Sequence, residues 1–489
     1  MKKPIIMKKP IKLAVYTFFV FLFVFNVSFA QDKAKQIEEL LTKYNQYGQF
    51  SGSALVAENG KVILKKGFGS ANMEWNIPNQ PDTKFRLGSV SKQFTAFLIV
   101  KLAEDGKLKL DVPITTYLPN YPKATGDKIT IHHLLTHTSG IPNYTSLPNF
   151  FKDKSRNPYT PEEFVKTFCD LPLEFTPGEK FNYSNSGYFL LGYIIEKVSG
   201  KSYEQYLQET ILTPLKMVNS GYDHADTILK NRAAGYEKRG KKIRNAPYLD
   251  MSIPYAAGSL YSTVEDLYLW DQALYTNKLL SSKSMESLFN SYIKTGQSSY
   301  GYGWFIDEAD GASGKVKVTE HGGGINGFNT IIYRIPQDKN LIVLLNNTGG
   351  TVLNEISQSI RAILYNQSFK APKMSLAFEL LDTFSEQGVT SGLNTYKKLK
   401  NDPVYNISEG EMNRVGYELL QNGKTKEAIE VFTINAETYP KSGNAYDSLA
   451  EAYLKDGNKN LAITNYKKSV ALDPSNDAGK KALEELLKK

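Results

Sequence analysis

Hydrophobic positions change their period several times along the chain, and each change predicts an element. Gly52–Ala57 and Val62–Gly67 are strand-like runs joined by Glu58-Asn59-Gly60-Lys61, which predicts a hairpin with an Asn-Gly turn. Apolar positions fall at helical spacing over Gln93–Ala103, which stops at Asp105-Gly106, and over Gly187–Val198, which closes on Ser199-Gly200. Tyr302–Ile306, Thr330–Ile335 and Leu341–Leu345 read as strands of one antiparallel sheet, and Thr351–Tyr365 as a closing helix. Outer hairpins around a helical middle imply an α+β fold, with helices packed on that sheet.

Beyond Ala371-Pro372 the strand signals stop and a repeat begins. Gly423, Ala428, Phe432 and Pro440 recur thirty-four residues later as Gly457, Ala462, Tyr466 and Pro474. With Tyr446, Leu449-Ala450 and Tyr453, the second copy resembles the tetratricopeptide pattern, a helical hairpin with a small Ala between its helices and a closing Pro. Two copies fall short of the about three such repeats usually need. Residues 375–408 are therefore expected to form a degenerate first copy, and Asp477–Leu487 a capping helix. The expected organisation is a leader at 1–30, a catalytic domain at 31–368, a linker with the degenerate repeat at 369–408, and repeats with their cap at 409–489.

The leader is read from three features: basic residues 1–12, an apolar run from Leu13 to Phe25, and small residues at Ser28 and Ala30. This is the signal-peptide pattern, with cleavage expected after Ala30. The apolar run is shorter than the about 20 residues a spanning helix needs, so no stable membrane anchor is expected after cleavage. Export to a periplasm or beyond the cell follows. The leader also changes how charge is read. The formal charge is +9, but five lysines lie in residues 1–30, which hold no acid, leaving about +4 on the rest. That is no nucleic-acid footprint. The single cysteine, Cys169, excludes an internal disulfide and any cysteine-based metal cluster; it sits on an apolar helical face, so it reads as core.

Candidate chemistry begins at Ser89-Val90-Ser91-Lys92, a serine and a lysine one helical turn apart at the start of a predicted helix. The helix N-terminus aims free N–H groups at the same face, which favours an alkoxide and a neighbouring oxyanion. For Lys92 to accept the serine proton near neutrality its pKa must fall from ~10.4 by about 3 units, which burial and a nearby cation can supply. Tyr183-Ser184-Asn185 follows, just before the second helix. Its phenol, near two cations, is suited to ionise and relay protons, and its amide to hold a substrate carbonyl. Thr319-Glu320-His321-Gly322-Gly323-Gly324 then ends a strand-like stretch with residues that let a substrate backbone lie alongside.

Taken in order, Ser89-x-x-Lys92, Tyr183-Ser184-Asn185 and His321-Gly322-Gly323 resemble the three motifs of class C β-lactamases, D-alanyl-D-alanine carboxypeptidases and β-lactamase-fold esterases. His133–Gly140, Ala257–Leu260, Ser262–Leu267 and Tyr300–Trp304 fit the same pattern, and the resemblance spans about residues 35–365. It implies a β-lactamase/transpeptidase-like antiparallel sheet with a helical subdomain, followed here by the all-α repeat module. It implies that Ser89 forms an acyl-enzyme while Lys92 and Tyr183 manage its proton and activate the deacylating water. Asn185, His321, Gly322 and Gly323 would bind substrate, and the N–H groups of Ser89 and Gly324 would form the oxyanion hole. No metal or cofactor is implied. One departure bears on substrate: class C enzymes carry Lys-Thr-Gly at His321-Gly322-Gly323, and losing that cation weakens recognition of a substrate carboxylate. An ester or a peptide, including D-amino-acid and peptidoglycan-related ones, is therefore expected ahead of a β-lactam.

Other constellations are set aside. An α/β-hydrolase reading of His321–Gly324 lacks the required G-x-S-x-G elbow. His132, His133 and His137 lack the glutamate of a zinc-binding H-E-x-x-H helix. Two functions stay open from sequence: an exported serine hydrolase acting on a small-molecule or peptide substrate, and a non-catalytic penicillin-binding-like scaffold whose repeats bind a protein partner.

Overall fold

The computed structural model describes residues 32–239, 242–351 and 353–488. The leader expected at 1–30 lies outside the described residues. Among those described, no helix is long and apolar enough to cross a membrane. The chain clusters into two compact units: one runs up to Glu237 and resumes over Asn245–Lys370, and the other comprises Lys238–Arg244 and the residues from Ala371 onward.

The first unit is built on one antiparallel sheet. Its strands are β1 (Gly52–Glu58), β2 (Lys61–Phe68), β3 (Ile293–Thr295), β4 (Ser298–Tyr300), β5 (Phe305–Asp310), β6 (Lys315–Ile325), β7 (Phe328–Ile335) and β8 (Asn340–Asn346), in the spatial order β3-β4-β5-β6-β7-β8-β1-β2. The Asn-Gly turn joins β1 to β2 with both residues left-handed, Asn59 at φ 52° and Gly60 at φ 75°, the geometry that matches the twist of a hairpin. Strand β8 is buried along its whole length, because both faces of the sheet are covered. Val56, Ile331, Ile342 and Leu344 pack with the N-terminal helix over residues 32–46 and with Leu353–Leu364. Leu55, Ile332, Val343 and Leu345 face the other way, into the core of the helical subdomain.

Two helices of that subdomain carry the expected site. Ser91–Glu104 is buried nearly all round, with Trp270 stacked on Phe94 at 4.5 Å. Asn185–Ser199 ends on Gly200 at φ 71°. One expectation is corrected. The strand read over Tyr302–Ile306 begins only at Phe305, because Gly301 to Trp304 is a tight turn closed by the Gly301 N–H donating to the Trp304 carbonyl at 2.8 Å. Gly303, at φ 78°, approaches the nucleophile helix so closely that a Cβ there would lie 2.8 Å from the Lys92 carbonyl oxygen.

In the second unit Leu376–Leu399 is helical with a break at Gly388. The pairs Glu409–Gln421 with Thr425–Thr438, and Gly443–Lys455 with Lys459–Leu472, are followed by Asp477–Lys488. Ala428, Phe432, Ala462 and Tyr466, the positions of the repeat, are all buried between helices.

Candidate active site

Ser89 lies in a short 3₁₀ turn, Gly88–Val90, that runs directly into the helix bearing Lys92. The turn forms because Gly88 adopts φ +53° and has no side chain: a Cβ there would sit 2.9 Å from the Gly324 nitrogen and oxygen. Strand β6 closes on the same segment. A Cβ on Gly323 would meet the Leu87 carbonyl oxygen at 2.0 Å, and the Thr330 hydroxyl donates to that oxygen at 2.6 Å. The bare face of Gly323 is thus taken up by the protein's own backbone rather than left for a substrate.

Lys92 is fully buried, and its Nζ has three partners: Ser89 Oγ at 2.9 Å, Asn185 Oδ1 at 2.9 Å and the Ala257 carbonyl oxygen at 2.8 Å. Two of these, the amide and backbone carbonyls, can only accept. The serine hydroxyl can donate. The set serves both protonation states: an ammonium donates to all three, and a neutral amine donates to the two carbonyls and accepts from the serine hydroxyl. Burial also pushes the Lys92 pKa well below its ordinary value, because a charge there would be stripped of water.

Tyr183 sits on the loop that enters the helix Asn185–Ser199, with its ring 5.0 Å from Lys92 Nζ. Burial raises its pKa, opposed by its interaction with the Ser89 side chain. The expectation of a phenol that ionises between cations changes accordingly: the burial that surrounds the site also disfavours charge on its neighbours, so the phenol keeps its proton. Asn185 is oriented by Asn143, whose Oδ1 accepts from the Asn185 backbone N–H at 3.2 Å and from its side-chain Nδ2 at 3.3 Å.

His321 lies behind Tyr183, the ring centres 6.2 Å apart, and is 1% exposed. Its Nδ1 donates to the Gly322 carbonyl at 2.7 Å, so Nε2 accepts from the Tyr300 hydroxyl at 3.0 Å. Burial lowers its pKa to about 3, and it is neutral at physiological pH. Of the residues expected to bind substrate, Asn185 lines the cleft, His321 is buried and Gly323 is backed by Leu87; Gly324, the expected oxyanion donor, also lines it.

The cleft beside Ser89 holds about 120 Å3. Tyr144, Phe150, Phe151, Leu249, Ile253 and Ile325 supply its apolar walls, and among the described residues no lysine, arginine, histidine, aspartate or glutamate lines it. The three histidines set aside as metal ligands each have another task. His132 bonds the Tyr302 hydroxyl, His133 caps its own helix at Thr130, and His137 accepts from the Ser184 N–H. Cys169 is buried, and burial pushes its thiol pKa up. Sequence reasoning did not find Asn143 or the Ala257 carbonyl. The first is one of many asparagines, and a backbone oxygen has no sequence signal of its own.

A dehydrated lysine facing a serine one turn earlier, at the junction of an antiparallel sheet and a helical subdomain, places the first unit among serine hydrolases of the β-lactamase fold. The chain belongs to that family: the Beta-lactamase family model matches residues 34–366, and a Tetratricopeptide repeat model matches 443–476. It is 33% identical over 336 residues to the putative penicillin-binding protein PbpX of Bacillus subtilis (strain 168), covering 68% of this chain and 80% of that one. A penicillin-binding protein structure from Bacillus halodurans superposes with a TM-score of 0.59 at 30% identity, over 66% of this chain and 98% of that one. The D-amino acid amidase from Ochrobactrum anthropi SV3, solved with L-phenylalanine amide, gives a TM-score of 0.60 at 25% identity, over 68% of this chain and 99% of that one.

Proposed function

We propose that the protein is an exported serine hydrolase that cleaves an uncharged ester or amide, D-amino-acid derivatives included, through an acyl-enzyme on Ser89. The observation that carries this reading is the 2.9 Å contact between Ser89 Oγ and a buried Lys92 Nζ whose other two partners are both acceptors. As Ser89 Oγ bonds to the substrate carbonyl carbon, its proton passes to Lys92. The N–H groups of Ser89 and Gly324 hold the resulting oxyanion. The bond to the leaving group then breaks, and that group takes the Tyr183 hydroxyl proton while Lys92 returns a proton to Tyr183. In the second half water bonds to the acyl carbon and its proton passes through Tyr183 to Lys92; the bond from that carbon to Ser89 Oγ then breaks, Oγ takes the proton from Lys92, and the acid leaves. A protonated phenol beside a neutral amine is the starting state this cycle requires.

The uncharged walls of the cleft favour an apolar acyl group, and neutral His321 offers no cation for a carboxylate. The L-phenylalanine amide bound to the related amidase likewise has an apolar side chain and no carboxylate. Residues 1–30 serve as the export leader, and the repeats engage a protein partner. The test is mass spectrometry after exposure to a fluorophosphonate, with turnover of p-nitrophenyl esters and nitrocefin measured alongside. One adduct on Ser89, absent in Ser89→Ala, with ester turnover well above nitrocefin turnover, is expected. An unmodified wild-type chain with no turnover would return the weight to the scaffold reading.

A further inference from the structure

His137 takes no part in that cycle, yet it is bonded to the segment that carries Tyr183 on both sides of the tyrosine. Its carbonyl accepts from the Asn182 N–H at 2.9 Å, and its Nδ1 accepts from the Ser184 N–H at 3.1 Å. Its ring lies over the Tyr183 ring, with centres 4.2 Å apart and planes at 30°. Tyr188 and Tyr300 close the other sides, each at 4.9 Å. Two further bonds extend the same attachment, from Gly178 N–H to the Thr138 carbonyl and from Glu174 N–H to the Gly140 carbonyl, both 2.8 Å. The loop 137–140 is therefore a rail on which the approach to Tyr183 is hung.

The backbone of His137 is in an uncommon conformation that histidine, like asparagine and aspartate, enters more often than other side-chain-bearing residues. It stands at φ +57°, the left-handed region, which costs most residues roughly 1–2 kcal/mol. Glycine would take that conformation more readily. Because Nδ1 accepts, the neutral ring carries its proton on Nε2, and the ring is 1% exposed. Strain held at a buried side chain that contacts a catalytic group points to a task for that side chain.

We propose that His137 is a positioning residue that holds the Tyr183 hydroxyl at Ser89 and Lys92, acting through both the bond to Ser184 and the ring contact. The proposal rests on the catalytic reading of Tyr183 given above. Two substitutions suit the left-handed backbone and divide the two contacts. His137→Asn places an oxygen near the position of Nδ1 and loses the ring, whereas His137→Gly loses both.

The experiment is a double-substitution cycle on the full chain, reading kcat and KM for a p-nitrophenyl ester and the rate of fluorophosphonate labelling. His137→Gly should lower kcat and labelling at least about tenfold with KM within about twofold, and His137→Asn should recover part of that loss. In a Tyr183→Phe background both should change the residual rates less than about twofold, because the hydroxyl they position is gone. Equal losses in the two backgrounds, or none in either, would overturn the proposal. Wild-type rates in Tyr183→Phe alone would overturn the catalytic reading and this proposal with it. Should His137→Gly not fold, the His137→Asn cycle is read in the same way, with a smaller loss expected to vanish in the Tyr183→Phe background.

Discussion

Lys92 donates to the Ala257 carbonyl at 2.8 Å, and this bond, with the one to Asn185, fixes the amine 2.9 Å from Ser89 Oγ. Sequence spacing places a lysine one turn from the serine; the two acceptors decide which way it faces. A base held in this manner needs no reorganisation when the proton moves.

Lys92→Met removes the proton acceptor and should lower Ser89 acylation by at least about 10²-fold, read as the labelling rate with a fluorophosphonate. Its effect on stability depends on pH. The folded pKa of Lys92 is depressed, so above that value the unfolded chain binds the extra proton, and the folded state gains stability as pH rises towards ~10.4. Urea unfolding at pH 7 and 9 should show wild type gaining on Lys92→Met at the higher pH.

His321 has the same sign on the acid side. With its pKa lowered to about 3 against an unfolded value of ~6.5, its contribution is complete above ~6.5 and is lost as pH falls towards 3. Between pH 6.5 and 4.5 the wild type should lose about 2 kcal/mol relative to His321→Gln, measured by denaturant unfolding.

Gly88→Ala should separate Ser89 from Gly324, since the new methyl would lie 2.9 Å from the Gly324 backbone and φ +53° disfavours it. Loss of one oxyanion donor predicts a fall in kcat of about 10²–10³ in ester hydrolysis. A folded variant with unchanged kcat would place the oxyanion elsewhere.

Phe151 is half-exposed at the wall of the cleft. Phe151→Ala should raise KM for an ester with an aromatic acyl group by about tenfold and leave acetyl ester kinetics nearly unchanged, as steady-state rates on the two esters would show.

Local signals in the sequence carry the elements whose cause is local. Asn59-Gly60 marks its hairpin because the turn needs two left-handed residues, and the helix at Ser91–Glu104 extends the predicted one by a residue or two at either end. What sequence could not supply depends on contacts between distant segments. Tyr302-Gly303 looks like the start of a strand until Gly303 is seen against the Lys92 carbonyl. The glycines of β6 suit a substrate backbone on paper, but at Gly323 the Leu87 carbonyl occupies that space. His137 looked like one of three related histidines, and its tie to Tyr183 crosses residues that no local period connects.

The apposition of Gly323 and Gly324 with Leu87 and Gly88 has a consequence for the order of events in the life of the chain. Serine, lysine and tyrosine are all present once the first two hundred residues exist, but the second oxyanion donor arrives on a strand from much later in the sequence. That strand docks only when the sheet closes, a non-local step that comes slowly in folding. A chain still being made carries Ser89 without Gly324, the second oxyanion donor of the proposed mechanism. Under the proposed mechanism, full reactivity therefore waits for closure of the sheet, and a chain short of it is slower towards esters and amides by about the 10²–10³ expected for one missing oxyanion donor.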